Sequence, residues 1–129
     1  MKYLGIDYGA KRIGLAVSIE GIAFPRGVIE NDTSTLTTLV DIVAKEKVSG
    51  VVVGDTRSFG GHANPVTKAA DAFVDTLQKE LSVPVVRARE AGSSVEAARY
   101  APGGEKHDDA AAALILQGYL DSHSGTLRA

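Results

Sequence analysis

Four carboxylates in this chain could act together: Asp7, Glu90, Asp108 and Asp109. Asp7 closes the short apolar run Tyr3-Leu4-Gly5-Ile6. Glu90 follows a second run, Val83 to Arg87. Asp108 and Asp109 open a stretch rich in Ala, Leu and Ile. If the first, fourth and fifth strands lie side by side, their carboxyl ends share one edge, and Asp7 and Glu90 could face each other there. A final helix starting at the same edge brings Asp108 to the same point. Carboxylates that close repel unless a divalent cation stands among them. The chain has no cysteine, so a metal must be held by oxygen or imidazole. An oxygen-only set favours Mg²⁺ or Mn²⁺. Two such ions bridged by carboxylates suit in-line phosphodiester chemistry, one activating a water and the other stabilising the leaving oxygen. Each acid also has a plainer role. Asp7 could serve a turn, Glu90 could be a solvated loop acid, and Asp108 and Asp109 could cap a helix.

The elements that must position these acids are legible in order. Tyr3 to Ser18 reads as a hairpin. Its first arm ends at Asp7, a tight turn covers Tyr8 to Arg12, and Ile13, Leu15 and Val17 alternate with Gly14, Ala16 and Ser18 in the second arm. Gly9 is the turn position where a positive φ is expected. The small residues Gly5, Gly9, Gly14 and Ala16 leave room for a ligand or backbone to approach. Ile22 to Glu30 reads as a third strand, and Pro25 inside it marks an edge strand or a bulge. Asn31 to Ser34 offers several N-caps for an amphipathic helix over Thr35 to Lys47.

Val48 to Gly54 is a continuous apolar run suited to a strand buried on both faces. After the polar loop Asp55 to Asn64, Asn64-Pro65 starts a helix over Pro65 to Leu81. Val83 to Arg87 is the fifth strand. Ser93 to Glu96 fits a capping box for a short helix ending near Tyr100. The last helix is expected over Ala110 to about Leu120, with a loose tail from Asp121 to Ala129. Three antiparallel strands followed by strand–helix units predict one α/β domain: a five-stranded mixed sheet with helices on both faces.

With 129 residues, the chain is long enough for one domain with a real core and too short for two ordinary ones. Its core must be aliphatic, because only 5% of residues are aromatic. No basic-then-apolar leader and no bilayer-length apolar run are present, so the expectation is a cytoplasmic protein with no membrane partner. A net charge of −2 does not advertise a nucleic-acid binder, although a local basic face is compatible with it. An Asp-x-Gly hairpin also opens the ATPase fold of actin, the heat-shock chaperones and the sugar kinases. Those proteins need a second, similar domain to close over the nucleotide, and this chain has no room for one.

The stretch Leu4-Gly-Ile-Asp-Tyr-Gly-Ala-Lys-Arg-Ile-Gly-Leu-Ala-Val-Ser18 resembles the opening of the YqgF/RuvX family, the pre-16S rRNA nucleases also described as Holliday-junction-resolvase-like. Val51-Val-Val-Gly54, Val83-Pro-Val-Val86, Ser93-Ser-Val-Glu-Ala97 and Asp108 through Asp121 match later family blocks in the same order. The resemblance implies an RNase H-like fold and a metal-dependent nuclease acting in ribosome maturation. It places the catalytic, metal-binding acids on Asp7, Glu90 and Asp108, with Asp109 able to assist. The family's turn Lys-Arg falls on Lys11 and Arg12, and its loop after the fourth strand on Asp55 to Asn64. Lys11, Arg12 and Arg57 are thereby candidate contacts to a phosphate backbone. Ser93 and Ser94 stand where the family has a hydroxyl pair.

The stretch around Glu90 departs from the family pattern. The usual Asp-Glu-Arg becomes Arg89-Glu90-Ala91, and an inward-pointing Arg89 would compete with a metal for the carboxylate. The loop Ala101 to His107 is short. His62, in the same loop as Arg57, could also touch substrate, whereas His107 reads as a solvent-exposed loop histidine and His123 carries no clear signal. The implied partner is nucleic acid, structured pre-16S rRNA first. A DNA four-way junction is the alternative, and it would call for a dimer because two symmetric cuts need two sites. Otherwise the expectation is a monomer or weak homodimer. A non-catalytic nucleic-acid-binding scaffold is the alternative of a different class, and carboxylate-dependent Mn²⁺ binding separates it from the nuclease.

Overall fold

The computed structural model describes residues 1–9, 11–55, 65–89 and 108–127. Five strands form one mixed sheet in the order β3-β2-β1-β4-β5: β1 (Tyr3–Tyr8), β2 (Arg12–Ile19), β3 (Ile22–Glu30), β4 (Gly50–Asp55) and β5 (Val85–Arg89). Among the described residues, the helices are α1 (Thr35–Lys45), α2 (Pro65–Glu80) and α3 (Asp108–Leu127). β1, β2 and β3 pair antiparallel, whereas β1–β4 and β4–β5 pair parallel. β1 is therefore central, and the carboxyl ends of β1, β4 and β5 share one edge, as the sequence predicts. Among the described residues, no helix is long and apolar enough to cross a membrane.

Alternation along the strands divides the core in two. Leu4, Ile6, Ile13, Leu15, Val51, Val53 and Val85 point to the α1/α2 side, where Leu39, Ile42, Val43, Val74 and Leu77 cover them. Ala16 and Val52 point to the other side, beneath Ala111, Ala112, Ile115, Leu116 and Leu120 of α3. The first face is built from branched side chains and the second from small ones, so α3 sits close to the backbone of the sheet.

The element boundaries have local causes. α1 stops at Lys45 rather than Lys47. Lys47 takes a left-handed φ of 53°, and the Val48 N–H returns to the Val43 carbonyl at 3.0 Å. This is the six-to-one bond of a Schellman stop. Val48 is thus spent on the helix exit, and β4 begins at Gly50. β5 begins at Val85 rather than Val83 because Pro84 has no N–H to give the ladder. Its carbonyl still accepts from the Val51 N–H at 2.9 Å. Pro25 lies on the edge strand, and the register jumps there. Leu15 faces Gly27 but Ala16 faces Pro25, so Arg26 is the extra residue of a bulge.

The C-terminal expectation needs correcting. α3 continues through Leu127 instead of ending near Leu120, so Asp121 to Leu127 is helical and not a loose tail. Asp121 takes part in the extension: Gln117 Nε2 donates to its Oδ1 at 3.0 Å across one turn. α3 also begins two residues earlier than expected, at Asp108. The expected short helix over residues 93–100 lies outside the described residues.

Candidate nuclease centre

Asp7 is the fifth residue of β1 and is only 4% exposed. It shares a face with Tyr3 and Gly5, the face covered by α3. Its direct cross-strand neighbour is Gly14, which has no side chain to crowd it. A carboxylate buried this deeply on an apolar strand needs positive charge or several donors to offset its lost hydration.

The path of α3 determines what meets Asp7. The Tyr3 ring lies 6.0 Å from the Tyr119 ring. Two residues further along β1, the Cβ position of Gly5 is 2.8 Å from Leu116 Cβ and 3.1 Å from the Ala112 carbonyl oxygen. As β1 ascends, α3 descends, so the two elements run antiparallel. Another two strand residues advance about 6.6 Å and reach Asp7. One helical turn back from Ala112, about 6 Å, reaches Asp108 and Asp109. The start of α3 therefore lies level with the carboxyl end of β1.

Asp109 is half-buried, and its Oδ1 accepts from the Ala110 N–H at 3.0 Å. It thereby satisfies one of the donors left open at a helix N-terminus. The backbone of Asp108 is the first residue of α3, and its side chain lies outside the described set. Glu90, Arg57, Ser93 and Ser94 also lie outside the described residues, as do His62 and His107. His123 is described only as part of the α3 backbone. Among the described residues, no group of three Asp, Glu or His could hold a metal ion.

Lys11 and Arg12 are exposed at the β1–β2 turn, three and four residues beyond Tyr8. Arg12 alternates with Gly14 and so lies on the Asp7 face, with Glu30 as its cross-strand neighbour. Gly9 does not have the expected positive φ; among the described glycines that feature belongs to Gly21 and Gly27. Gly9 is needed for a different reason. A Cβ there would stand 2.5 Å from the Arg12 carbonyl oxygen, so the turn closes only around a bare backbone. On the far side of the sheet, Tyr8 packs its ring on Phe73 of α2 at 4.9 Å, anchoring the end of β1.

Two polar residues that hold these parts in place were not singled out by sequence reasoning. Gln117 Oε1 accepts from the Ala23 N–H at 2.8 Å, and its Nε2 donates to the Gly21 carbonyl at 3.2 Å, which pins α3 to the β2–β3 turn. A lone amide in an otherwise apolar stretch was the available signal. Asn31 Nδ2 donates to the Gly9 carbonyl at 2.8 Å. Its sequence context marks a loop and a candidate helix cap, not a contact to the β1–β2 turn.

In overall shape the chain is similar to the RuvC protein of Thermus thermophilus solved with a Holliday junction substrate. The TM-score is 0.64 at 17% identity, covering 98% of this chain and 97% of that one. It is also similar to a fowlpox virus resolvase, with a TM-score of 0.56 at 15% identity, covering 95% and 98%. At these identities the likeness establishes the RNase H-like fold. In sequence the chain is 39% identical to a Rhizobium etli protein and 40% identical to a Brucella canis protein, each named "Putative pre-16S rRNA nuclease". These matches cover 91% of this chain and 79% or 80% of the relatives. Residues 1–122 match the model of the RuvX family, described as Holliday junction resolvase, and the chain therefore belongs to that family.

Proposed function

We propose that this chain is a metal-dependent nuclease whose centre is formed by Asp7, Glu90 and Asp108 at the shared edge of β1, β5 and α3. The observation that carries this reading is the antiparallel run of α3 over β1, which brings the first turn of α3 level with a buried Asp7. Glu90 is assigned because β5 presents Val86 and Ala88 to the α3 side and Glu90 is next in that alternation. A set of carboxylate oxygens suits one or two Mg²⁺ or Mn²⁺ ions. When bound, such an ion supplies acidification of the attacking water and stabilisation of the leaving oxygen.

The chain's own residues supply the rest. Asp7 comes from the central strand, paired with Gly14 of β2 and directly after Ile6, the last residue of β1 paired with β4. Asp109 accepts from the helix N-terminus through Oδ1, and Asp108 is assigned as the metal ligand of the pair. Lys11 and Arg12 hold the nucleic-acid backbone beside Asp7, and Arg57 is assigned the same task from the loop after β4. Ser93 and Ser94 are assigned to steadying the segment after Glu90. The relatives named for pre-16S rRNA support RNA, the 16S precursor, as the substrate. The proposal assigns this work to the cytoplasm. The family model's description favours a DNA four-way junction as the second reading.

The test is cleavage of a labelled structured RNA and of a labelled four-way DNA junction, in Mn²⁺ or EDTA, by the protein and by Asp7→Asn. RNA cleavage that needs both the metal and Asp7 supports the proposal. Cleavage of the junction alone transfers the activity to DNA. No cleavage of either, from a folded protein that does not bind Mn²⁺, overturns the nuclease reading in favour of a scaffold.

A further inference from the structure

We propose that Asn31 is a positioning residue for nucleic-acid binding: it clamps the β1–β2 turn that carries Lys11 and Arg12. The inference rests on the nuclease reading, and in particular on those two cations contacting the phosphate backbone. Asn31 directly follows β3, twenty-two residues from Gly9 in sequence. Its side-chain Nδ2 donates to the Gly9 carbonyl at 2.8 Å, and its backbone N–H donates to the Lys11 carbonyl at 2.9 Å. One residue therefore takes the carbonyls at both ends of the turn. The turn is already tight, since Gly9 lies against the Arg12 carbonyl with no space for a Cβ.

Two consequences follow from the chemistry. Long cationic side chains on a mobile turn lose more freedom on binding than the same side chains on a fixed one. A turn held in the free protein therefore binds phosphate at lower cost. The turn also starts two residues after Asp7, so the clamp sets the spacing between the phosphate contacts and the acid. The residue type fits the task. The partner of the side chain is the Gly9 carbonyl oxygen, so the side chain must donate, which an amide can do and a carboxylate cannot. An aspartate here would also place negative charge beside the incoming backbone.

The experiment measures binding of a fluorescein-labelled stem-loop RNA by anisotropy, using the full chain carrying Asp7→Asn so that the probe stays intact. Asn31→Ala is expected to weaken binding about fivefold, the scale of one lost hydrogen bond. Asn31→Asp, of the same shape, should weaken it further. In a Lys11→Ala/Arg12→Ala background Asn31→Ala should add almost nothing, because its effect runs through those cations. In the chain with Asp7 intact, KM should rise while kcat stays within about twofold. Thermal unfolding reports folding, and Asn31→Asp serves if Asn31→Ala does not fold. Unchanged binding, or an equal loss in the Lys11→Ala/Arg12→Ala background, overturns the proposal. If Lys11→Ala/Arg12→Ala itself leaves binding unchanged, the turn does not touch RNA and the proposal falls with that contact. Metal- and Asp7-dependent cleavage then decides separately whether the nuclease reading stands.

Discussion

Gly5 of β1 and Leu116 of α3 approach so closely that a Cβ on Gly5 would stand 2.8 Å from the Leu116 Cβ. The Ala112 carbonyl closes the same space from one turn away, at 3.1 Å. The sequence marks Gly5 as a place where a ligand or a backbone could come near, and it is the helix that does so. This contact fixes the height of α3 over β1 and thereby the level of Asp108 relative to Asp7. Gly5→Val should force the helix outward, at a cost of about 1–3 kcal/mol for overpacking a rigid contact. Cleavage should fall much further than stability, because the first turn of α3 is displaced from Asp7. Urea unfolding alongside cleavage rates checks this; a stable Gly5→Val protein with full activity would contradict it.

Asp7 should couple metal binding to stability. An ion that binds only the folded chain stabilises it by about 2.7 kcal/mol at one hundred times its dissociation constant. Saturating Mn²⁺ should therefore raise the unfolding temperature of the protein, and EDTA should reverse the rise. Asp7→Asn, which keeps the shape and removes the charge, should abolish the shift. A shift of equal size in Asp7→Asn would place the ion elsewhere.

Gln117 should prove structural, distinct from the nuclease centre. It bonds to Gly21 of the β2–β3 turn, to Ala23 at the start of β3 and to Asp121 one helical turn on. Gln117→Leu keeps the bulk but leaves the Ala23 N–H without its acceptor, at a cost of about 1–3 kcal/mol. Hydrogen exchange should then rise at Ala23, while the Mn²⁺ response through Asp7 is retained.

Glu46 gives the fold a dependence on acid. Arg26 Nε donates to Glu46 Oε2 at 2.6 Å, and its second nitrogen also contacts that oxygen. The Arg26 hydrogen bond is the main cause that holds the Glu46 carboxyl below its ordinary value of 4.5, with burial opposing it and the Arg26 and Lys2 charges assisting. The folded chain thus releases this proton more readily than the unfolded one. The stabilisation is complete above about pH 4.5 and is lost as pH falls through the lower folded value. Because the Arg26 side chain is 37% exposed, solvent screening limits the pair to about 0.5–1 kcal/mol. Glu46→Gln should lower stability by that amount at pH 7 and by progressively less in acid, measured by urea unfolding across pH.

The amino-acid sequence alone determined the parts that depend on neighbours in the chain. The period of two in Ile13 to Ser18, the proline inside β3, and the Asn64-Pro65 helix start are local signals, and each element formed where its signal lies. The position of Asp7 at the end of a central strand was legible for the same reason: an apolar run leading into an acid needs no distant partner to be seen. Only the tertiary structure decided how α3 runs over β1, because that direction depends on Tyr3 meeting Tyr119 and Gly5 meeting Leu116, contacts separated by more than a hundred residues. It also decided that Gly9 serves a close approach rather than a left-handed turn, and that Asn31, not a residue of the turn itself, holds the turn closed. Periodicity reports which face of an element is apolar; which face then meets which, and at what height, is set by the shapes that pack, here a glycine and an alanine that let a helix settle onto a strand.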